Sequence, residues 1–474
     1  MRVYKPLEFF MYSHDQDLAG WIVKDILFNK HLRLIGQETT SSGVFIGPLF
    51  YYLQIPFYLM AKMSPLGPLL LPVILSAFAM FSFYFVFWKI FNKRVGLLAC
   101  LFYSLSVLIV FTDREIAPTM PVMLWTAWYL YGLHLIYKGN SKAFILLGLL
   151  LGLIWHINLA LIIISPLILV SIIFSKKKIN LKSLLLGILI FLFFTSPLII
   201  FEFRHNFLQT KSLVSSLISQ KDYVTGTSVG LAKLDRVLQL VYRNTTSLFW
   251  DSVFSVKGNL TILFLSLSLI FLFHKKRIGS CFLALFGLWT ILYIAFFSIN
   301  SLNPSEYYFN GMNIVWIGTA SLFVDFVLGQ KNFLRFLGYI FTLLFISLNV
   351  FGFFKKPVDA SGYVERSSLV SFINEDAKSM NYPCISISYI TSPGRNLGYR
   401  YLFWLRSMHV NLPISGSPVY TIVFPHSKVD RIDKSFGALG LVLPDYHRYN
   451  DEGVKKSCSG QNSNLTDPMS GYTE

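Results

Sequence analysis

Residues able to do chemistry gather in five short clusters of this sequence. The first is Ser13-His14-Asp15-Gln16-Asp17-Leu18-Ala19-Gly20-Trp21. Two carboxylates beside an imidazole suit general acid–base work, in which a positioned Asp takes a proton from a reacting hydroxyl. The structural alternative is that Asp15 caps the helix it opens, or complements that helix's dipole. The second is Thr112-Asp113-Arg114-Glu115. Arg114 presents a planar fork of donors that fits a phosphate, whereas a solvated turn is the plain alternative. The third is His156 with Asn158, a polar interruption of a long apolar stretch. A histidine there is either a contact at an exposed face or a packed, capping residue. The fourth is Asn303-Pro304-Ser305-Glu306-Tyr307-Tyr308. Its tyrosines read as substrate contacts or as an interfacial aromatic belt, and Glu306 as a contact or a dipole partner. The fifth runs from Gly43 to Leu53 and contains Gly47-Pro48-Leu49-Phe50-Tyr51-Tyr52. Gly and Pro fix a turn there, and the aromatic run is expected to lie flat at an apolar–water boundary.

The elements that must position these residues are membrane helices. The chain of 474 residues is 54% hydrophobic and 14% charged, against about 25% charged in soluble domains. That composition excludes a soluble enzyme, a disordered protein and a nucleic-acid-binding domain. The apolar residues fall in long runs, which excludes a membrane β-barrel with its short dyad alternation. Ten spans are expected, at 66–90, 95–111, 117–137, 143–157, 159–174, 183–203, 259–274, 278–298, 309–328 and 333–353. The apolar stretch 143–175 would be roughly 50 Å long as one helix, too long for one crossing of a ~30 Å core and short for two. Charge decides. Lys142 at one end and Lys176, Lys177 and Lys178 at the other are both expected on the cytoplasmic side, so the chain must turn near His156. The formal charge of +17 is then the positive-inside signal rather than a nucleic-acid footprint. Lys89, Lys93, Arg94, Lys138, Lys182, Lys275, Lys276, Arg277, Lys331 and Arg335 fall on the same side, and all five clusters fall on the outer side.

The fold class expected is therefore a polytopic α-helical membrane protein with a small C-terminal α/β extracytoplasmic domain. Residues 1–65 form a first outer loop with amphipathic interfacial helices, one of them running from the first cluster to about Phe28. Residues 66–353 form the membrane domain, including a long outer loop at 204–258, and 354–474 a soluble domain. In that tail, Val364 to Met380 and Tyr399 to Val410 read as helices, Cys384 to Ile390 and Tyr420 to Phe424 as strands, and the end from about Lys455 as disordered. Cys384 and Cys458 are able to pair, although spacing alone does not show it. Cys100 and Cys281 lie in apolar runs as small hydrophobes.

Taken in order, these features resemble the GT-C superfamily of polyprenyl-phosphate-sugar-dependent glycosyltransferases. The nearest resemblance is to family 39, which holds protein O-mannosyltransferases, aminoarabinose transferases and bacterial relatives. It covers about residues 10–330. An acidic motif in the first outer loop is matched by His14-Asp15-Gln16-Asp17, a Pro-Leu-Tyr-Tyr-like element by Gly47 to Tyr52, and an Arg-containing turn by Arg114-Glu115. A Gly-rich helix with a polar turn is matched by Gly148 to Asn158, and an aromatic, acidic loop by Glu306-Tyr307-Tyr308. The family commonly has Asp-Glu where this chain has Asp-Gln-Asp, and Lys in the polar turn where this chain has His156. In the family the acidic motif follows a first span, so a helix upstream of Met1 and eleven spans are expected of the natural protein.

The resemblance implies sugar transfer from a polyprenyl-phosphate-sugar to an acceptor hydroxyl, with inversion. Asp15, with Asp17 as the alternative, would be the general base. Arg114 and His156 would stabilise the leaving phosphate, and His14, Asp113, Glu115, Asn158, Glu306, Tyr307 and Tyr308 would contact substrate. No cofactor is required, although a carboxylate pair is able to hold a divalent cation. The expected partners are the lipid-linked donor, a lipid, glycan or protein acceptor, and membrane lipids, with no nucleic acid. The expected location is the cytoplasmic (plasma) membrane, crossed many times, with the site and tail outside. A transporter or lipid flippase is the first alternative, but such proteins put charges at the bilayer midplane, and here the polar residues crowd the outer face. A non-catalytic assembly protein is the second, and would not need the acidic motif.

Overall fold

The computed structural model describes residues 1–39, 41–175, 180–219, 230–250, 258–302 and 304–459. The basic residues 176–178, Asn303 and the chain beyond 459 lie outside the described residues. The helices are α1 (His14–Phe28), α2 (Leu49–Met60), α3 (Leu70–Ile90), α4 (Lys93–Leu105), α5 (Val107–Arg114), α6 (Val122–Tyr137), α7 (Ala143–Ile157), α8 (Leu167–Ile173) and α9 (Leu181–Arg204). They continue as α10 (Leu208–Ser219), α11 (Leu231–Phe249), α12 (Gly258–His274), α13 (Ser280–Ile299), α14 (Asn313–Leu328) and α15 (Phe333–Lys355). The tail holds α16 (Tyr363–Ser379), α17 (Arg400–Leu405), α18 (Asp451–Ser457) and five strands.

Each expected span is a helix or a helix pair. Among the described residues, five helical segments are long and apolar enough to cross a membrane, and the pair α4–α5, bent by 64°, makes up to six. Segments 143–157, 159–173 and 259–274 are apolar but shorter. Helix length thus supports up to six crossings, and the expected ten is not reached on that criterion. The segment containing α14 is the core of the bundle, with 72% of its apolar window buried, whereas α9 has 11%. The α9 side chains Leu185, Leu189 and Phe193 project outward, the arrangement a lipid solvent favours. α9 is held by a close crossing with α7. A Cβ at Gly148 would run into the Gly187 carbonyl, and one at Gly187 into that of Phe144. Small residues there let the two backbones touch, which replaces the hydrophobic drive that lipid cannot supply.

The described residues of the expected outer loop 204–258 are mostly in α10 and α11. α11 buries Val237, Val241, Asn244 and Leu248 along one face at helical spacing. In the tail, β1 (Ile385–Thr391), β2 (Val410–Asn411), β3 (Val419–Phe424), β4 (Lys434–Phe436) and β5 (Leu439–Val442) form one sheet in the order β2-β1-β3-β5-β4. β1 is parallel to β2 and β3, and β5 is antiparallel to β3 and β4. The expected helix from Tyr399 to Val410 stops at Leu405, because the chain must return to pair β2 with β1. Lys455 and Lys456, expected in a disordered end, belong to α18, and Cys458 just after it is bridged to Cys384.

The outer loop and the tail are not separate bodies. One hydrophobic core contains Phe10, Tyr12, Leu18 and Trp21 from the first segment together with Leu369, Tyr401, Phe403 and Ile422 from the tail. α1 is accordingly buried from Gln16 to Val23. Part of its surface is thus covered by the tail. In the aromatic run that follows, Tyr51 is fully buried.

Candidate active site

Ser13 opens α1, and Gln16 Oε1 accepts its backbone N–H at 2.9 Å, half of a capping box. Gln16 Nε2 then donates to the carbonyl of Ile116 at 3.0 Å, fixing the helix start against the α5–α6 connection. Successive residues of this first turn point in different directions. Asp15 faces a cavity of about 640 Å³. Asp17 is 4% exposed and faces the tail. Its Oδ1 accepts from Tyr12 Oη at 3.0 Å and from the Tyr401 N–H at 3.0 Å. The two candidate bases are therefore divided by the helix that carries them.

The segment after α1 closes the site. The Gly36 N–H donates to the Ile46 carbonyl at 2.7 Å and the Ile46 N–H to the Gln37 carbonyl at 3.1 Å, across a turn. Tyr51 holds Gln37 at 3.1 Å through both its backbone and its side chain, and Gln37 in turn hydrogen-bonds Asp15. The Gly47-to-Tyr52 element thus acts through Gln37, a residue sequence reasoning missed. No spacing rule marks it, because a lone Gln in a polar loop has many roles. Glu38, Thr39 and Thr119 also line the cavity and were likewise missed.

His156 holds this segment from below. Its Nε2 meets the Phe194 carbonyl at 2.8 Å, which makes that nitrogen the protonated one, and Nδ1 accepts from the Leu49 N–H at 3.4 Å. Gly47 donates to the Trp155 carbonyl at 2.9 Å, and a Cβ on Gly47 would overlap the His156 ring. The third and fifth clusters are one packed unit.

Of the expected site residues, Asp15, Glu115, Asn158, Tyr307 and Tyr308 line the cavity. Asn158 also caps the turn after α7, accepting from the Ala160 N–H at 3.0 Å. The others lie elsewhere. Arg114 donates to the carbonyls of Met1 at 2.8 Å and Lys5 at 3.2 Å and sits over the Phe9 ring. Its fork is occupied by the N-terminal segment rather than by a phosphate site. Asp113 is buried and accepts from Arg2 at 2.7 Å and Tyr103 at 2.7 Å. His156 is buried under the cavity wall rather than in it. His14 and Asp17 line a second cavity. Glu306 is exposed and paired with Arg243 at 3.0 Å.

Burial raises the Asp15 carboxyl above the usual carboxylate range, opposed by His14 and by the Gln37 hydrogen bond. Burial, then the negative charge of Asp15, raises Glu115. Two carboxyls are thus electrostatically coupled at one cavity wall, an arrangement that favours a proton acceptor over a permanently ionised pair. Burial pushes Asp17 up to about 7, opposed first by the Tyr401 N–H and then by Tyr12. No cluster of three or more His, Cys, Asp and Glu able to hold a metal occurs among the described residues.

Residues 46–201 match the family model of dolichyl-phosphate-mannose-protein mannosyltransferases. The fold is similar to that of ArnT from Cupriavidus metallidurans in the apo state, with TM-score 0.61 and 10% identity over 94% of this chain and 96% of that one. Residues 46–201 are thus similar to that family, and the fold of nearly the whole chain is similar to that of ArnT. The chain also superposes on ArnT bound to undecaprenyl phosphate, with TM-score 0.57 and 11% identity over 92% and 95% of the two chains. No curated protein matches its sequence. At such identity the likeness carries the fold alone, and the roles of this chain's residues rest on its own geometry.

Proposed function

We propose that this protein is a membrane glycosyltransferase that moves a sugar from a polyprenyl-phosphate-linked donor to an acceptor hydroxyl at the outer face of the cytoplasmic membrane, with Asp15 as general base. One observation carries the reading. Asp15 stands at the wall of a large cavity whose other walls are the apolar ends of membrane helices, among them Leu151, Ile162, Leu198 and Phe296. A polyprenyl chain suits those walls, and the sugar–phosphate junction then lies at the level of Asp15 and Glu115. The ArnT structure bound to undecaprenyl phosphate supports a lipid of this class.

In the reaction, Asp15 accepts the proton of the acceptor hydroxyl as its oxygen attacks the anomeric carbon from the face opposite the phosphate. The C–O bond to phosphate breaks, the anomeric centre inverts, and polyprenyl phosphate leaves as an anion. Gln37 and Tyr51 orient Asp15. Asn158, Thr119, Tyr307 and Tyr308 offer neutral donors to sugar and phosphate oxygens.

The test is sugar transfer in membranes with radiolabelled polyprenyl-phosphate sugars, comparing wild type with Asp15→Asn. A loss of about 10²–10⁴-fold is expected for a removed general base, with unchanged thermal unfolding. Full turnover by the variant would dismiss Asp15, and label that crosses the membrane while staying on the lipid would make the protein a flippase.

A further inference from the structure

A second cavity, of about 390 Å³, lies on the other side of the α1 first turn, between that turn and the tail. Its floor is buried: Asp17, Leu18 and Trp21 from α1 and Ile387, Val410 and Asn411 from the sheet. Its rim is exposed, with His14 on one side and Asn396 and Leu412 on the other. The geometry points to a saccharide-binding pocket that holds the acceptor of the proposed transfer.

Three features argue for this ligand class. Asp17 lines the cavity at 4% exposure, and the hydrogen bonds from Tyr12 and Tyr401 both fall on its Oδ1. Its second oxygen is left to meet a ligand hydroxyl, as donor when protonated and as acceptor when ionised. Trp21 Nε1 is buried without a partner among the described residues, and asks for an acceptor. A sugar hydroxyl is both donor and acceptor, and so meets both needs. The guanidinium of Arg400 stands 5.3 Å from the Trp21 ring centre and pulls on the charge of Asp17. Together with Tyr389 and Asn396, these groups combine carboxylate, guanidinium, amide and aromatic faces, which fits a ring rich in hydroxyls with apolar C–H faces. A peptide backbone would instead call for an open strand edge, and at this cavity β2, a two-residue strand, is too short to extend one.

Asp15 and Asp17 are two residues apart on one helical turn, so a glycan anchored in the pocket extends a hydroxyl past the start of α1 toward the general base. The inference rests on the transfer reading for its purpose, and its test does not. Full-length protein in detergent is examined by saturation-transfer NMR with mannobiose, with chitobiose and with a Ser/Thr hexapeptide. The expected result is saturation of a disaccharide and not of the peptide, weakened roughly tenfold or more in affinity by Asn396→Trp or His14→Trp. Both substitutions place bulk at the exposed rim and leave the fold intact, which undecaprenyl phosphate binding and the melting temperature check. Saturation persists in Asp15→Asn. Failure of the transfer reading therefore shows as lost transfer with saccharide binding retained. Saturation of neither disaccharide, saturation of the peptide alone, or disaccharide binding indifferent to both rim variants would overturn the pocket assignment.

Discussion

The backbone N–H of Tyr401 donates to Asp17 Oδ1 at 3.0 Å, joining residues 384 positions apart. This bond fastens the first turn of α1 to the tail, and the Tyr12 hydroxyl donates to the same oxygen. Asp17→Ala strands both donors in a buried site, at a cost of about 1–3 kcal/mol per group. The expected outcome is a clearly lower melting temperature for Asp17→Ala than for Asp15→Ala, because Asp15 stands at an open wall. Equal melting temperatures would count against Asp17 as the tie.

Stability should also depend on pH through Asp17. The folded protein keeps its proton up to about pH 7, whereas an unfolded chain releases it near the usual ~4. The folded state binds the extra proton between these values, so this stabilising contribution is complete below about 4 and is lost as pH rises through about 7. Unfolding followed in detergent from pH 5 to pH 8 should show a fall in melting temperature that flattens in Asp17→Asn.

The rate follows the opposite protonation logic. A general base must be ionised, and burial raises the Asp15 carboxyl. The acid limb of kcat/KM should lie above that of an ordinary aspartate, ~4. Glu115→Gln removes the negative neighbour coupled to Asp15 and should move the limb to lower pH. A pH–rate profile identical in the two proteins would remove Glu115 from the electrostatics of the base.

Gly47 and His156 should behave as a coupled pair. Gly47→Ala drives a methyl into the imidazole, an overpacking that typically costs about 1–3 kcal/mol. Adding His156→Ala makes room for that methyl, so the double variant should recover part of the loss. A double-mutant cycle on the melting temperature reads the coupling, and strict additivity would show that the two do not touch.

Two arginines, Arg2 and Arg114, tie the N-terminal segment to the helices. Arg2 is nine-tenths buried against Asp113. Arg2→Ala leaves a buried carboxylate uncompensated and should cost about 3–5 kcal/mol. Arg114 binds carbonyl oxygens of the N-terminal segment, so Arg114→Ala should lower stability and leave donor affinity unchanged. A donor KM raised tenfold by Arg114→Ala would return it to the phosphate.

The helices were legible because apolar runs and charge clusters report the bilayer directly. α1 was also legible in extent, from His14 to Phe28, since a Ser cap and a Gln three residues on mark a start. Its surroundings were not. The pattern along α1 looks two-faced because each face meets a different partner, and the second partner, the tail, lies hundreds of residues away. Arg114 illustrates the same limit. Its charge sign against the positive-inside trend marked it as unusual, but local sequence cannot distinguish a carbonyl oxygen of Met1 from a phosphate oxygen. Asp15 and Tyr307 were found because polar residues next to spans are few. Gln37 was not, because its role comes from Tyr51.

The core shared by α1 and the tail has a consequence for biosynthesis. Synthesis runs from the N-terminus, so Trp21 and Leu18 emerge long before Tyr401 and Phe403, which cover them. Until Tyr401 and Phe403 have been made, this face of the helix bearing Asp15 has no cover, so its packing is completed only when the tail joins it. A chain cut anywhere before Arg400 is expected to leave Trp21 and Leu18 open to solvent, a difference that limited proteolysis of truncated chains reads out.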